Sequence, residues 1–103
     1  MPISQPTFRP IVRNGATDVE ITNLSVGTTE TSHALQTTLR SLTIRSRNKA
    51  ELYIAFVSGE TATKYLTIPC GASLTLNDLE FGAKTLYIRA DQNNTVEIIE
   101  TYV

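Results

Sequence analysis

The stretch Glu51–Pro69, ELYIAFVSGETATKYLTIP, decides the fold. Two apolar runs, Leu52 to Val57 (LYIAFV) and Tyr65 to Ile68 (YLTI), flank a polar loop carrying Ser58, Gly59, Thr61 and Thr63. Aromatic and β-branched runs of strand length on either side of a Gly-containing connection specify a β-hairpin. Alternation along the first run puts Leu52, Ile54 and Phe56 on one face and Tyr53, Ala55 and Val57 on the other. Both faces are apolar, whereas a strand on the surface of a sandwich needs only one. The second face, with Tyr53 and Val57, is therefore expected to be covered, either by an N-terminal arm or by a partner subunit.

Working toward the N-terminus, Arg45 to Lys49 (RSRNK) reads as a turn. Before it lies His33 to Arg47, in which Leu35 and Leu39 sit on the opposite face from Leu42 and Ile44. That change of face predicts a bulge near Arg40–Ser41. A helix over residues 33–41 is the alternative, but Thr37, Thr38 and the missing apolar stripe speak against it. Asp18 to Ser25 alternates, with Val19 and Ile21 against Asp18, Glu20 and Thr22, as a half-buried strand does. Residues 1–16 read as an extended arm. Pro2, Pro6 and Pro10 remove amide donors and hold the chain extended, while Phe8, Ile11 and Val12 are too apolar to wave in water. The arm is expected either to pack back on the domain or to lie across a neighbour.

Toward the C-terminus, Cys70–Gly71 turns the chain into Ser73–Leu76, where Leu74 and Leu76 share a face. Asn77–Asp78 and Gly82 bound a short segment holding Leu79 and Phe81. Thr85 to Ala90 places Leu86, Ile88 and Ala90 inward and Tyr87 and Arg89 outward, and Val96 to Val103 closes the chain. Short strands with turn signals about every ten residues indicate a sandwich or barrel. Without a crossover helix the pairing must be antiparallel. The expected fold is all-β: an antiparallel β-sandwich or jelly-roll-like domain of seven or eight short strands over residues 17–103, preceded by the arm.

Composition narrows the function classes. At 103 residues, with 41% apolar and 18% charged residues, the chain is one domain with a single core. A net charge of -1 lacks the basic footprint of a nucleic-acid binder. Charge is unevenly spread, with Arg40, Arg45, Arg47 and Lys49 close together and Asp78, Glu80, Asp91, Glu97 and Glu100 weighting the last quarter. These charges fit solvated strand and loop positions first; the alternative is faces of opposite sign that dock onto neighbouring copies and fix register between subunits. One cysteine, Cys70, excludes an intrachain disulfide, and one histidine, His33, excludes a cysteine–histidine metal cluster. The proline-rich start is not a signal peptide and no run reaches the ~18 apolar residues of a membrane span, so maturation in a reducing cytoplasm is expected.

Catalytic patterns are weak. No Gly-x-Ser-x-Gly elbow accompanies His33, and the glycines at 27, 59, 71 and 82 lie in separate loops rather than in a phosphate cradle. Glu97 and Glu100 point to opposite faces of one strand and cannot flank a single bond. The expectation is a protein that is not an enzyme and uses no cofactor, metal or small-molecule substrate. A carbohydrate-binding surface would display exposed aromatics. The chain has no Trp, and Tyr53, Tyr65 and Tyr87 lie within strands, where only an outer face could make a platform.

From Arg40–Arg45 (RSLTIR) through Tyr53–Phe56 (YIAF), Ile68–Ser73 (IPCGAS) and Leu86–Ala90 (LYIRA) to Val96–Ile98 (VEI), the chain resembles small virion structural proteins of tailed bacteriophages. There a strand of "ly-ia-f" type, a "tip-x-G-x-S" turn and a "tlyvra" strand recur in similar order. The resemblance spans roughly residues 40–100. Cys70 stands where a small residue is usual, and Cys packs as a small hydrophobe. The resemblance implies a head decoration (cement) protein: a β-sandwich that forms a homo-oligomer, expected to be a homotrimer, assembles in the host cytoplasm and binds the major capsid protein on the capsid exterior, with no nucleic acid or membrane partner. A receptor- or carbohydrate-binding or connector module of the tail or neck is the alternative. The assembly surface is expected to use Phe8, Arg9, Ile11 and Val12 of the arm, Arg45, Arg47 and Lys49 of the cationic turn, and Tyr53 and Val57 of the hairpin strand.

Overall fold

The computed structural model describes residues 15–77 and 84–103. Phe8, Arg9, Ile11 and Val12, and the short segment expected around Leu79 and Phe81, lie outside the described residues. Eight strands and one 3-10 turn follow in order: β1 (Asp18–Val26), β2 (Thr31–Ala34), β3 (Leu39–Ser46), β4 (Leu52–Ala55), the turn Glu60–Ala62, β5 (Leu66–Ile68), β6 (Ser73–Leu76), β7 (Thr85–Ala90) and β8 (Asn94–Tyr102). The fold is the expected all-β sandwich. One sheet runs β1-β8-β3-β6 and the other β2-β7-β4-β5, with every pair antiparallel.

The pairing is nested. The hairpin β4–β5 is the innermost pair, and around it close β3–β6, β2–β7 and β1–β8. A long two-stranded ribbon folded at β4–β5 and wound so that successive pairs fall on alternate sheets gives this order, which is that of the eight-stranded jelly roll. The stretch Glu51–Pro69 is thus the tip of the ribbon.

Between the sheets lie Leu39, Leu42, Ile44, Leu52, Ile54, Leu86, Ile88, Val96 and Ile98, with Leu74 and Leu76 packed against them from β6. β7 alternates as its sequence demands, Leu86, Ile88 and Ala90 inward and Tyr87 and Arg89 outward. The change of face between Leu39 and Leu42 is a register shift against β8: Leu39 pairs with Tyr102 and Ser41 with Thr101, so Arg40 is the extra residue. The bulge lets Leu39, Leu42 and Ile44 all reach the core. No helix forms at 33–41; β2, a turn and the start of β3 occupy that stretch.

Two sequence expectations are corrected. β1 exists, but its apolar face is not the buried one: Val19 and Ile21 are 60% and 66% exposed. The far end of the strand sets its parity, because Leu24 opposite Val96 and Val26 opposite Asn94 point into the core. With a side-chain period of two, Val19 and Ile21 must then face outward. The hairpin strand is also shorter than its apolar run. β4 ends at Ala55, Phe56 is half-buried against the core, and Val57 lies in the connecting loop. That loop folds back over β4. Gly59 takes a left-handed conformation (φ 85°) at the start of the 3-10 turn, and Thr61 is buried beneath it. This loop supplies part of the cover for the second face of β4.

Glu30 holds the loop down. Its carboxylate accepts from the Gly59 amide (3.0 Å), the Thr61 hydroxyl (2.6 Å) and the Thr61 amide (3.4 Å). The Thr61 hydroxyl first, then the Gly59 amide, hold the Glu30 carboxyl below its usual value. A lowered folded-state value means that the anchor is complete above the ordinary glutamate range and is lost as pH falls through the lowered one. The Gly59 and Thr61 amide resonances should therefore titrate together, with a midpoint below that of an unperturbed glutamate, and stay flat in Glu30→Gln. Independent midpoints for the two amides would show that Glu30 does not clamp the loop.

Candidate docking face

β8 sorts its side chains by parity: Asn94, Val96, Ile98 and Glu100 inward, Glu97 and Ile99 outward. Its neighbours continue these rows on the outer face. Ile21 stands opposite Ile99, and Ile99 opposite Thr43, which faces Thr75. One row over, Asn23, Glu97, Arg45 and Ser73 line up in the same way. Val19 lies two residues along β1 from Ile21, so it shares that strand's outer face. Val19, Ile21 and the 37% exposed Ile99 form an apolar patch bordered by the polar row.

The polar row is ordered. Glu97 accepts from Arg45 Nε (2.5 Å) and Arg47 Nε (3.1 Å), and Arg47 also donates to Asn23 Oδ1 (2.9 Å). Arg45 first, then Arg47, lower the Glu97 carboxyl below its ordinary range. Three shallow depressions open on this face. One, of about 300 Å³, is lined by Ile21, Thr43, Arg45, Ser73, Glu97 and Ile99. A second, of about 280 Å³, runs from Ala16 to Val19 beside Thr101. A third, of about 350 Å³, lies between Arg45, Arg47, Glu97 and the Gly71–Ser73 turn.

Among the described residues of the expected assembly set, Arg45 and Tyr53 lie on different sheets. Arg45 and Arg47 converge on Glu97 on this face, whereas Lys49 sits exposed in the β3–β4 turn with a left-handed backbone (φ 57°). Tyr53 belongs to the other sheet. The Arg89 guanidinium stacks 4.3 Å from its ring centroid and donates to the Thr61 carbonyl, and Tyr65 meets it edge-on at 5.0 Å. The Tyr53 hydroxyl donates to Glu51 (2.7 Å), a bond that, with burial, raises its pKa. Tyr53 is thus engaged within the chain, while Val57 is 55% exposed in the loop.

Sequence reasoning missed two things here: the outward Val19–Ile21–Ile99 patch, and the partner of His33. His33 points between the sheets from β2, and its Nε2 lies 2.6 Å from Glu100 Oε1. Glu100 Oε2 accepts from the Gln36 amide (2.8 Å), so both oxygens of a carboxylate only 1% exposed are bonded. The pair is a polar strut joining one sheet to the other. Among the described residues no cluster of three or more His, Cys, Asp or Glu could hold a metal, and no helix is long and apolar enough to cross a membrane. Comparison with family models, with curated proteins and with solved structures finds no match to this chain.

Proposed function

We propose that the chain is a virion structural protein that works by protein–protein contact, a capsid decoration or cement protein that bridges capsomers on the head exterior. The observation that carries the contact reading is the apolar patch of Val19, Ile21 and Ile99, rowed beside the Arg45–Arg47–Glu97 cluster on the outer face of a four-stranded sheet. The virion assignment itself rests on the sequence resemblance. Jelly rolls occur among viral capsid proteins, lectins and cupins alike, so the fold is compatible with decoration without selecting it. Docking that covers these side chains gains about 1–2 kcal/mol for each. A single contact of this size is weak, and many copies on a lattice convert it into a stable shell through avidity. Of the alternatives, a carbohydrate-binding module has less support, because Arg89 occupies a ring face of Tyr53 on which a sugar would stack.

Two measurements test this. Quantitative mass spectrometry of purified virions should count hundreds of copies per particle; a dozen or fewer would favour a connector or tail part. Ile99→Lys, which places a charge mid-sheet in the patch, should abolish binding to undecorated heads while the melting curve stays close to that of the parent. Full binding by Ile99→Lys would remove the patch from the docking face.

A further inference from the structure

Sheet edges are where a sandwich invites another chain, and natural proteins blunt them with short strands, proline, lysine or bulges. Three of the four edges here are short. β2 and β6 have four residues each, and β5 has three and runs into Pro69. β1 is different. It has nine residues, pairs with β8 in nine consecutive positions without a register shift, and contains no proline, lysine or arginine. Its outer edge meets no strand among the described residues. Among the described residues it also carries the two most exposed large apolar side chains, Val19 and Ile21.

We propose that this edge pairs antiparallel with β1 of a second copy, about a two-fold axis at Ile21, and joins two four-stranded sheets into one of eight strands. This deepens the assembly reading above and rests on it for its purpose. The charge pattern of β1 selects the register. With Ile21 opposite its own copy, Glu20 falls beside Thr22 of the second chain and Asp18 beside Leu24. Slipping the axis to Glu20 sets the two Glu20 carboxylates against each other, and slipping it to Val19 sets Asp18 against Glu20; like charges directly opposite destabilise a strand pair. Moving the axis the other way, to Thr22, puts Ile21 against Asn23 and breaks the apolar row. The Ile21 register alone continues Ile99–Ile21 of one copy into Ile21–Ile99 of the other. Such a contact is isologous, so it builds dimers in place of the expected trimer. One strand pair buries less than a standard interface, so the association should depend on concentration.

Cysteine cross-linking in the full chain reads out this register, with the exposed Cys70 replaced (Cys70→Ser). Directly opposed Cβ atoms lie ~5 Å apart, whereas Asn23 and its own copy would stand about 13 Å apart along the strand. Ile21→Cys should therefore give a disulfide-linked dimer on mild oxidation, roughly ten-fold more than Asn23→Cys, because cysteines so far apart cannot be bridged. Val19→Cys mixed with Asn23→Cys should cross-link as a heteropair. Sedimentation should show the unmodified chain dimerising with concentration and Ile21→Lys remaining monomeric at every concentration. Equal cross-linking at positions 21 and 23, an unmodified chain that stays monomeric, or a dimeric Ile21→Lys would each overturn the proposal. Failure of the capsid reading is separable. A chain that cross-links at Ile21 but never binds heads refutes decoration alone, and one that decorates heads without cross-linking refutes the edge pairing alone.

Discussion

Replacing His33 by alanine is expected to destabilise the fold by about 3 kcal/mol, the order of cost of removing one partner from a buried hydrogen-bonded pair. Glu100 is enclosed between the sheets, and without His33 it keeps only the Gln36 amide. For a domain of this size the melting temperature should drop by more than 10 °C, on the order of 4–8 °C for each kcal/mol. Glu100→Gln should be much milder, about 1 kcal/mol, because its amide oxygen still accepts from Gln36 and its amide nitrogen can donate to the ring of His33. Replacing both residues by leucine should recover most of the loss, since apolar groups of similar volume need no partners. Urea unfolding of the parent and the three variants measures these differences. If His33→Ala and Glu100→Gln cost the same, the strut is an exposed and weakly coupled pair, contrary to its geometry.

The second large effect concerns the tip of the ribbon. Leu52 is fully buried in β4, opposite Ala90 of β7 and Ile68 of β5. Leu52→Ala removes packed atoms from a position flanked on both sides by strands and should cost about 2–5 kcal/mol, the range for truncating a core leucine. Val57→Ala, five residues on and largely exposed, should change stability by less than about 0.5 kcal/mol. The contrast is informative because both residues belong to one apolar run in the sequence. A Val57→Ala loss equal to that of Leu52→Ala would mean that the loop carries part of the core.

That run also shows how far the sequence could be read. Period-two alternation found β7, the two strands of the hairpin though not the end of β4, and the bulge at Arg40–Ser41, because each depends on neighbours in the chain. It could not tell which face of β1 is buried. Val19 and Ile21 are the obvious apolar pair, yet parity is fixed by Leu24 and Val26 against Val96 and Asn94, a long-range pairing. Alternation placed Glu97 and Glu100 on opposite faces; only the sheet packing reveals that Glu100 is the inward one and that His33 meets it. The described members of the expected assembly set fall on different sheets for the same reason. Arg45 and Arg47 lie close in sequence to Tyr53, but β3 and β4 belong to different sheets, so the chain crosses the sandwich between them.

The nested pairing bears on how the chain reaches this state. Closing a loop costs entropy that grows with the length enclosed. Asp18 and Tyr102 are partners in space and nearly the full described length apart along the chain. Met directly from the unfolded chain, that pairing is the most costly contact in the molecule. Approached from the β4–β5 tip outward, each ladder is closed only after the one inside it has shortened the free segments, so no step has to close the whole length at once. Glu51–Pro69 can therefore serve as the nucleus of folding, and β1 as the last strand to be added and the first to be released.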